Sequence, residues 1–326
     1  MVTIIPKKDV TVMINIYETD GGKLNRLMNF EDGCWVRITS DNDAEIEEVA
    51  RFYDIDFNDM KAALDEEEKS RVVSEDNYAM VIVDIPASEL QNDMKFYTTI
   101  PLGIILTQGA LITICSEDTR MLDRFVNTHI KYFSTKKRTR FLYQILYYAM
   151  LNYQEVLRQV DDRRLDIENR VSDGKETEDD LVILHNLEST LVYFETSLRA
   201  ASIVIDRLRR FKQIPKYDED EDLLEDVQIE NRQAIEMASI YREIIDGTSE
   251  FMSNVINNKL NNTMKYLTSI TIVMAIPTII SGLYGMNVNA DGMPFAGIKA
   301  GFTIICIITL VVCLIILYIL KRKKML

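Results

Sequence analysis

The sequence predicts an α+β membrane protein: an α/β domain at the N-terminus, then long helices, then two transmembrane helices. Three observations predict it. Two uncharged apolar runs, 266–284 and 300–320, close the chain. Before them, the stretch 134–262 is poor in Gly and Pro and carries apolar positions three and four apart. The stretch 1–133 alternates β-rich runs with turn signals.

Within 1–133, the segments 10–17 and 34–38 read as strands, broken by Asp20-Gly21-Gly22 and Asp32-Gly33. Ser40 offers an N-cap, and Asp41, Asp43 and Glu45 suit the positive end of a helix reaching about Phe52. Residues 78–85 form a strand closed by Pro86. Residues 96–98, 102–107 and 110–115 add two or three more, separated by Pro101 and Gly109. Residues 119–130 return to helix. The glycines make no phosphate-cradling loop, and no catalytic constellation is present. His129 and His185, the two histidines, lack ligand spacing, and Cys34, Cys115, Cys306 and Cys313 form no CxxC pair. Cys306 and Cys313 fall on one face of the second apolar run as lipid- or helix-facing filler. An enzyme reading has no residues behind it, and no organic cofactor is implied.

The helical part begins near Thr135. A helix over 140–171 ends at Ser172-Asp173-Gly174, and Thr177 with Asp180 is a capping pair for the next, which runs to about Phe211 ahead of Pro215. The run Asp218-Glu219-Asp220-Glu221-Asp222, with Glu225 and Asp226, reads either as a solvated acidic loop and helix start or as a cation-sensing patch. From about Leu223 the pattern continues through Ile235, Ile240, Ile244, Phe251, Val255 and Leu260 into the first apolar run. A helix this long needs lateral partners. The two preceding helices can cover one side, and copies of itself the other.

The length of each apolar run meets the requirement of a bilayer. At about 1.5 Å per residue, 266–284 and 300–320 span about 28 and about 32 Å, against a hydrocarbon core of about 30 Å. Lys321, Arg322, Lys323 and Lys324 follow the second directly, which places the C-terminus in the cytoplasm. Two spans return the N-terminal part to the same side, and the short loop between them faces out. Residues 1–7 lack the layout of a signal peptide. The expected organisation is 1–133 as a cytosolic α/β domain, 134–262 as long cytosolic helices, and 263–326 as a transmembrane hairpin with a basic tail.

The chain carries a net charge of −14, and from Thr263 onward six bases stand against Asp291, so the stretch 1–262 holds −19. So acidic a body repels phosphates, which argues against a nucleic-acid partner.

On a helical wheel of the first span, Asn261, Met264, Thr268, Thr271, Ala275, Thr278 and Gly282 share one stripe, with Leu267 beside it. The other faces are mostly Ile and Val. The stripe reads as a helix-packing surface with Thr hydroxyls on backbone carbonyls, or as a pore wall. A wall without charged ligands passes an ion with much of its hydration shell, which suits Mg²⁺ because it sheds water reluctantly.

The segment Ala275-Ile276-Pro277-Thr278-Ile279-Ile280-Ser281-Gly282-Leu283-Tyr284-Gly285-Met286-Asn287 resembles the signature of the CorA family of divalent-cation channels, with Tyr-Gly-Met-Asn ending the first of two C-terminal spans. The resemblance covers the whole chain and is specific in the stretch 262–326. It implies a homopentamer with an N-terminal αβα cytosolic domain and a long stalk helix continuing into the pore-lining span. Gly285, Met286 and Asn287 would form the outer mouth, where Asn287 amides hold hydrated Mg²⁺ through its waters, with Tyr284 supporting the loop. Thr278 would face the pore as a polar ring, while Asn261, Met264 and Leu267 match a cytoplasmic polar ring and hydrophobic gate. Residues 321–324 would form a basic collar at the membrane of the cell, the inner or plasma membrane. Mg²⁺ would be both substrate and regulatory ligand, holding neighbouring acidic subunits closed. Counting back from Asn287 places Asp226 near the sensing carboxylate, with Asp76 as its partner from the α/β domain.

The chain departs from the family at one point: Met293-Pro294 is followed by Phe295 where an acidic residue is frequent, leaving Asp291 as the only carboxylate of the outer loop. Two alternatives stand beside this reading. A zinc-handling branch shares the fold but typically carries another residue between the Gly and the Asn. A hairpin that merely anchors a cytosolic scaffold or sensor would have no reason to end a Thr/Asn stripe at Tyr-Gly-Met-Asn.

Overall fold

The computed structural model describes residues 13–39, 42–91, 94–128, 130–211, 214, 217–287, 292–295 and 298–323. Residues 10–12 of the first expected strand, Ser40, Asp41, His129, Pro215, Asp291 and Lys324 lie outside these. The chain divides into two compact units, Met1–Ser249 and Glu250–Leu326.

The first unit is built on one seven-stranded sheet. Its strands are β1 (Met13–Asp20), β2 (Lys23–Leu27), β3 (Cys34–Thr39), β4 (Arg71–Ser74), β5 (Tyr78–Gln91), β6 (Met94–Thr107) and β7 (Ala110–Cys115), in the order β2-β1-β3-β7-β6-β5-β4. Only the β3–β7 pair is parallel. Every residue of β3 and β7 is buried, because helices cover both faces. On one face α1 (Asp43–Tyr53) and α2 (Phe57–Ala62) place Ile46, Val49 and Met60 against Val36, Ile82 and Ile112. On the other, α3 (Arg120–Asn127), α4 (Arg138–Ser172) and α5 (Glu178–Arg210) pack around Trp35 and Tyr153. The layers are therefore α, β and α.

Several local expectations change. The cap of α1 is Asn42, whose side chain accepts from the Ala44 N–H at 3.1 Å. Asp20-Gly21-Gly22 turns a hairpin into β2, with Gly21 and Gly22 at positive φ. Neither Pro86 nor Pro101 stops its strand. Pro86 lies beyond the last β5 residue that pairs with β4, and Pro101 just before the first β6 residue that pairs with β7. On that side each sits at an open edge where no ladder hydrogen bond is lost. The Thr177–Asp180 cap forms as expected, with the Thr177 N–H donating to Asp180 Oδ2 at 2.9 Å. Burial raises the Asp180 carboxyl, but bonds from Arg170 and Thr177 outweigh it and leave the group below its ordinary value.

The last two helices are α6 (Asp218–Tyr284) and α7 (Gly301–Arg322). The acidic run opens α6, where its charges suit the positive helix end. Within the first unit, α6 buries Leu224, Val227, Asn231, Ala234, Ala238 and Ile245, a stripe three, four and seven residues apart. Gln154 of α4 donates to Glu230 at 2.6 Å, and Arg242 reaches Glu195 of α5 at 3.0 Å. The preceding helices thus cover one side, as anticipated, with Ala234 and Ala238 among the residues buried there. Ile229, Ile240 and Ile244 stay exposed.

Trp35 is fully buried, donates from its indole nitrogen to Thr113 Oγ1 at 2.9 Å, and meets Phe125 and Phe141 edge-on. Trp35→Ala opens a cavity and leaves Thr113 without this partner. A loss of about 3–5 kcal/mol is expected, read as a lower denaturant midpoint for the first unit's transition in the full chain.

Candidate ion pathway

The stripe read from the sequence lies on α6 and keeps its spacing, because the helix is unbroken through Pro277. A proline there has no N–H for the Val273 carbonyl four residues back. Cys313 of α7 supplies a substitute, its Sγ 3.9 Å from the Val273 oxygen. This cysteine is therefore a backbone partner as well as filler. The sequence signal for it was the proline, whose orphaned carbonyl needs a donor from a neighbouring helix in a hydrocarbon environment.

Burial along the span is confined to one side. Ser269 is fully buried, and Val273, Ile276 and Ile280 are part-buried, on the face that meets Cys313. Thr271, Ala275, Thr278 and Gly282 each lie two residues further on, about 200° around the helix, and all four are exposed. The polar stripe is thus turned away from α7. Thr268, Leu267, Met264 and Asn261 are exposed as well.

Thr271 Oγ1 donates to the Leu267 carbonyl at 2.8 Å and Thr278 Oγ1 to that of Met274 at 3.1 Å. With the hydroxyl proton held by the helix, what remains for the exposed side is acceptor lone pairs. Water molecules bound to a cation present hydrogens outward, so such a wall matches a hydrated cation and strips nothing from it.

At the end of the span the Gly285 N–H donates to the Ser281 carbonyl at 2.8 Å and the Met286 N–H to that of Leu283 at 3.4 Å. Met286 and Asn287 follow, both exposed. The free carbonyls of a helix C-terminus carry partial negative charge, which favours a cation beside Asn287. Tyr284 donates its hydroxyl to the Pro294 carbonyl at 2.9 Å, tying the helix end to the returning loop. At the other end of α7, Lys321 and Arg322 occupy the last turn and Lys323 caps it, their charge opposing the negative helix end.

The regulatory candidates do not meet within one chain. Asp76 is exposed in the β4–β5 turn and Asp226 is exposed on α6. Asp76 lines a cavity of about 900 Å³ with Lys136, Lys137, Arg140, Glu219 and Asp220, and Asp226 does not. Asp220 is buried and bonded to Arg140 at 3.2 Å. Burial raises its carboxyl despite Arg140 and Lys137. The acidic run is thus only partly a solvated face. Among the described residues no three His, Cys, Asp or Glu side chains cluster to hold a metal.

Residues 30–322 match the family described as CorA-like Mg²⁺ transporter protein. The cobalt/magnesium transport protein CorA of Methanocaldococcus jannaschii is 31% identical over 307 residues, covering 91% of this chain and 93% of its own. The complete structure of the CorA magnesium transporter from that organism superposes with a TM-score of 0.78 at 26% identity, over 96% of this chain and 98% of its own. The cytoplasmic domain of ZntB from Vibrio parahaemolyticus shares the fold at 13% identity and a TM-score of 0.59, over 76% of this chain and 99% of its own. With its signature residues at the end of the first of two apolar helices, the chain belongs to the family of CorA-like Mg²⁺ transporter proteins.

Proposed function

We propose that the chain is a divalent-cation channel that carries Mg²⁺, with Co²⁺ and Ni²⁺ as further cargo, down the electrochemical gradient into the cytoplasm. One observation carries the reading: the acceptor stripe of α6 is exposed on the side opposite α7, so none of the described residues packs over it. Five copies around an axis would turn these stripes inward. Thr268, Thr271, Ala275, Thr278 and Gly282 would then line a neutral, acceptor-rich pore, and hydrated Mg²⁺ would enter it without the cost of dehydration. The likeness to the cobalt/magnesium transport protein of Methanocaldococcus jannaschii supports the cargo.

In this reading Gly285, Met286 and Asn287 form the outer mouth, with Asn287 carbonyl oxygens receiving hydrogens from the ion's water shell. Leu267 and Met264 form the gate near the cytoplasmic end, closing by exclusion of water, with the Asn261 ring below them. Residues 1–133 are the cytosolic α/β domain, 134–262 the cytosolic helices, and 263–326 the hairpin in the plasma membrane. Both termini are cytoplasmic, with Lys321 to Lys324 at the inner surface. Internal Mg²⁺ bridges Asp226 of one subunit and Asp76 of a neighbour. The charge of −19 on the stretch 1–262 makes neighbouring copies repel without it. The likeness to ZntB is one of fold only, and Met286 between Gly285 and Asn287 favours Mg²⁺ over zinc as cargo.

Ion flux into vesicles holding the purified full chain tests this, across a series of divalent ions with and without internal Mg²⁺. Asn287→Ala should lower Mg²⁺ uptake about tenfold or more, from the loss of charge-assisted contacts; normal uptake by this variant in a transport-deficient host would sink the selectivity role. Asp291→Asn should change uptake by about twofold or less, because salt screens the long-range attraction of a single charge. Asp226→Asn should leave the channel open at internal Mg²⁺ concentrations that close the wild type. Unchanged closure would remove Asp226 from the sensing site.

A further inference from the structure

The loop that returns to α7 is seated on the two spans by consecutive carbonyls. The Pro294 oxygen accepts the Tyr284 hydroxyl at 2.9 Å. The next oxygen, that of Phe295, rests against Gly301, the first residue of α7. A Cβ at Gly301 would stand 2.2 Å from that oxygen and 3.2 Å from the Phe295 carbonyl carbon, both backbone atoms, so either the loop or the helix would have to move. The same oxygen accepts the Ile298 N–H at 3.3 Å, and the Gly301 N–H donates to Ile298 at 2.9 Å. Phe295 holds this position at φ +68°, a left-handed conformation that a bulky residue rarely adopts. Such a conformation persists only where its surroundings over-determine it. Tyr284 immediately precedes Gly285-Met286-Asn287, so whatever fixes the Pro294 carbonyl also fixes the end of α6.

We propose that Gly301 and the left-handed backbone of Phe295 are positioning residues for the outer mouth: the bare Cα of Gly301 lets the loop close onto α7, and this holds the Pro294 carbonyl where Tyr284 can reach it. Neither residue touches the ion. The inference rests on Gly285 to Asn287 being the mouth. It also gives Phe295, where the family frequently has an acidic residue, a part that needs no charge. The chain would depend on loop geometry for a function in which a carboxylate could otherwise assist by attraction.

The test is Mg²⁺ influx into vesicles holding the purified full chain, with half-saturation concentration and maximal flux measured separately. Displacing a recognition group by about 1 Å or less can cost up to about a hundredfold. Gly301→Ala should therefore raise the half-saturation concentration about tenfold, with maximal flux changed by less than about twofold, and Tyr284→Phe should act in the same direction. Should Gly301→Ala fail to insert, Tyr284→Phe carries the same test. At position 295, Phe295→Val forbids the left-handed backbone and Phe295→Gly permits it; the valine variant should lose clearly more affinity than the glycine variant. Equal losses in the two would show that the phenyl ring matters and not the backbone, and would overturn the proposal. So would a wild-type half-saturation concentration in Gly301→Ala. If Asn287→Ala raises the half-saturation concentration while Gly301→Ala does not, only this inference fails. If neither does, the mouth itself has been misplaced.

Discussion

A bilayer interior offers no hydrogen-bond partner to a backbone group, and the second unit of this chain is organised by that constraint. Two uninterrupted helices satisfy nearly all of it. Where Pro277 removes a donor, a thiol from the neighbouring helix approaches the orphaned carbonyl. Where Thr271 and Thr278 bring hydroxyls into the span, those hydroxyls donate to the carbonyls of their own helix. The same constraint then produces the feature on which the proposed transport depends. A hydroxyl whose proton faces the helix can offer only acceptors outward, and acceptors are what the water shell of a cation requires.

The first unit obeys a different rule. Its sheet is covered on both faces, so the central strands β3 and β7 are wholly buried, and Trp35 of β3 packs with Phe125 and Phe141 from the covering helices. Some of its interior polar groups pair across elements: Arg37 with Asp123 at 2.7 Å, and Tyr153 with the Asp84 carbonyl at 3.1 Å. Its surface concentrates negative charge on the first turns of α6, where the helix dipole favours it. One member of that run, Asp220, is withdrawn from solvent beside Arg140, so the acidity left exposed lies with neighbours such as Asp226.

The end of the hairpin at Gly285 to Asn287 joins these themes. The C-terminus of α6 presents free carbonyls near Asn287, and among the described residues the loop beyond it is held by the Tyr284 hydroxyl, the Ile298 N–H and the contact with Gly301. At the proposed mouth, selectivity is a matter of where amide oxygens stand relative to a hydrated ion. Small restraints several residues away therefore acquire functional weight.

The sequence by itself determined the class of the molecule. Apolar length gave the two spans, a Gly- and Pro-poor pattern gave the long helices, and the residues 284–287 identified the family by resemblance, because each of these signals is local. Strand ends were less legible. Pro86 and Pro101 read as stops, and whether a proline stops a strand depends on which neighbour pairs there, a fact of sheet order. Periodicity required one side of α6 to be covered by the preceding helices but did not say which residues: Leu224, Val227, Asn231, Ala234, Ala238 and Ile245 are buried, while Ile240 and Ile244 stay outside. Only the tertiary structure turned the Thr stripe to the side away from α7, paired Cys313 with the carbonyl that Pro277 orphans, and set Gly301 against Phe295. Each of these depends on how one segment packs against another, and no local propensity encodes a distance across the fold.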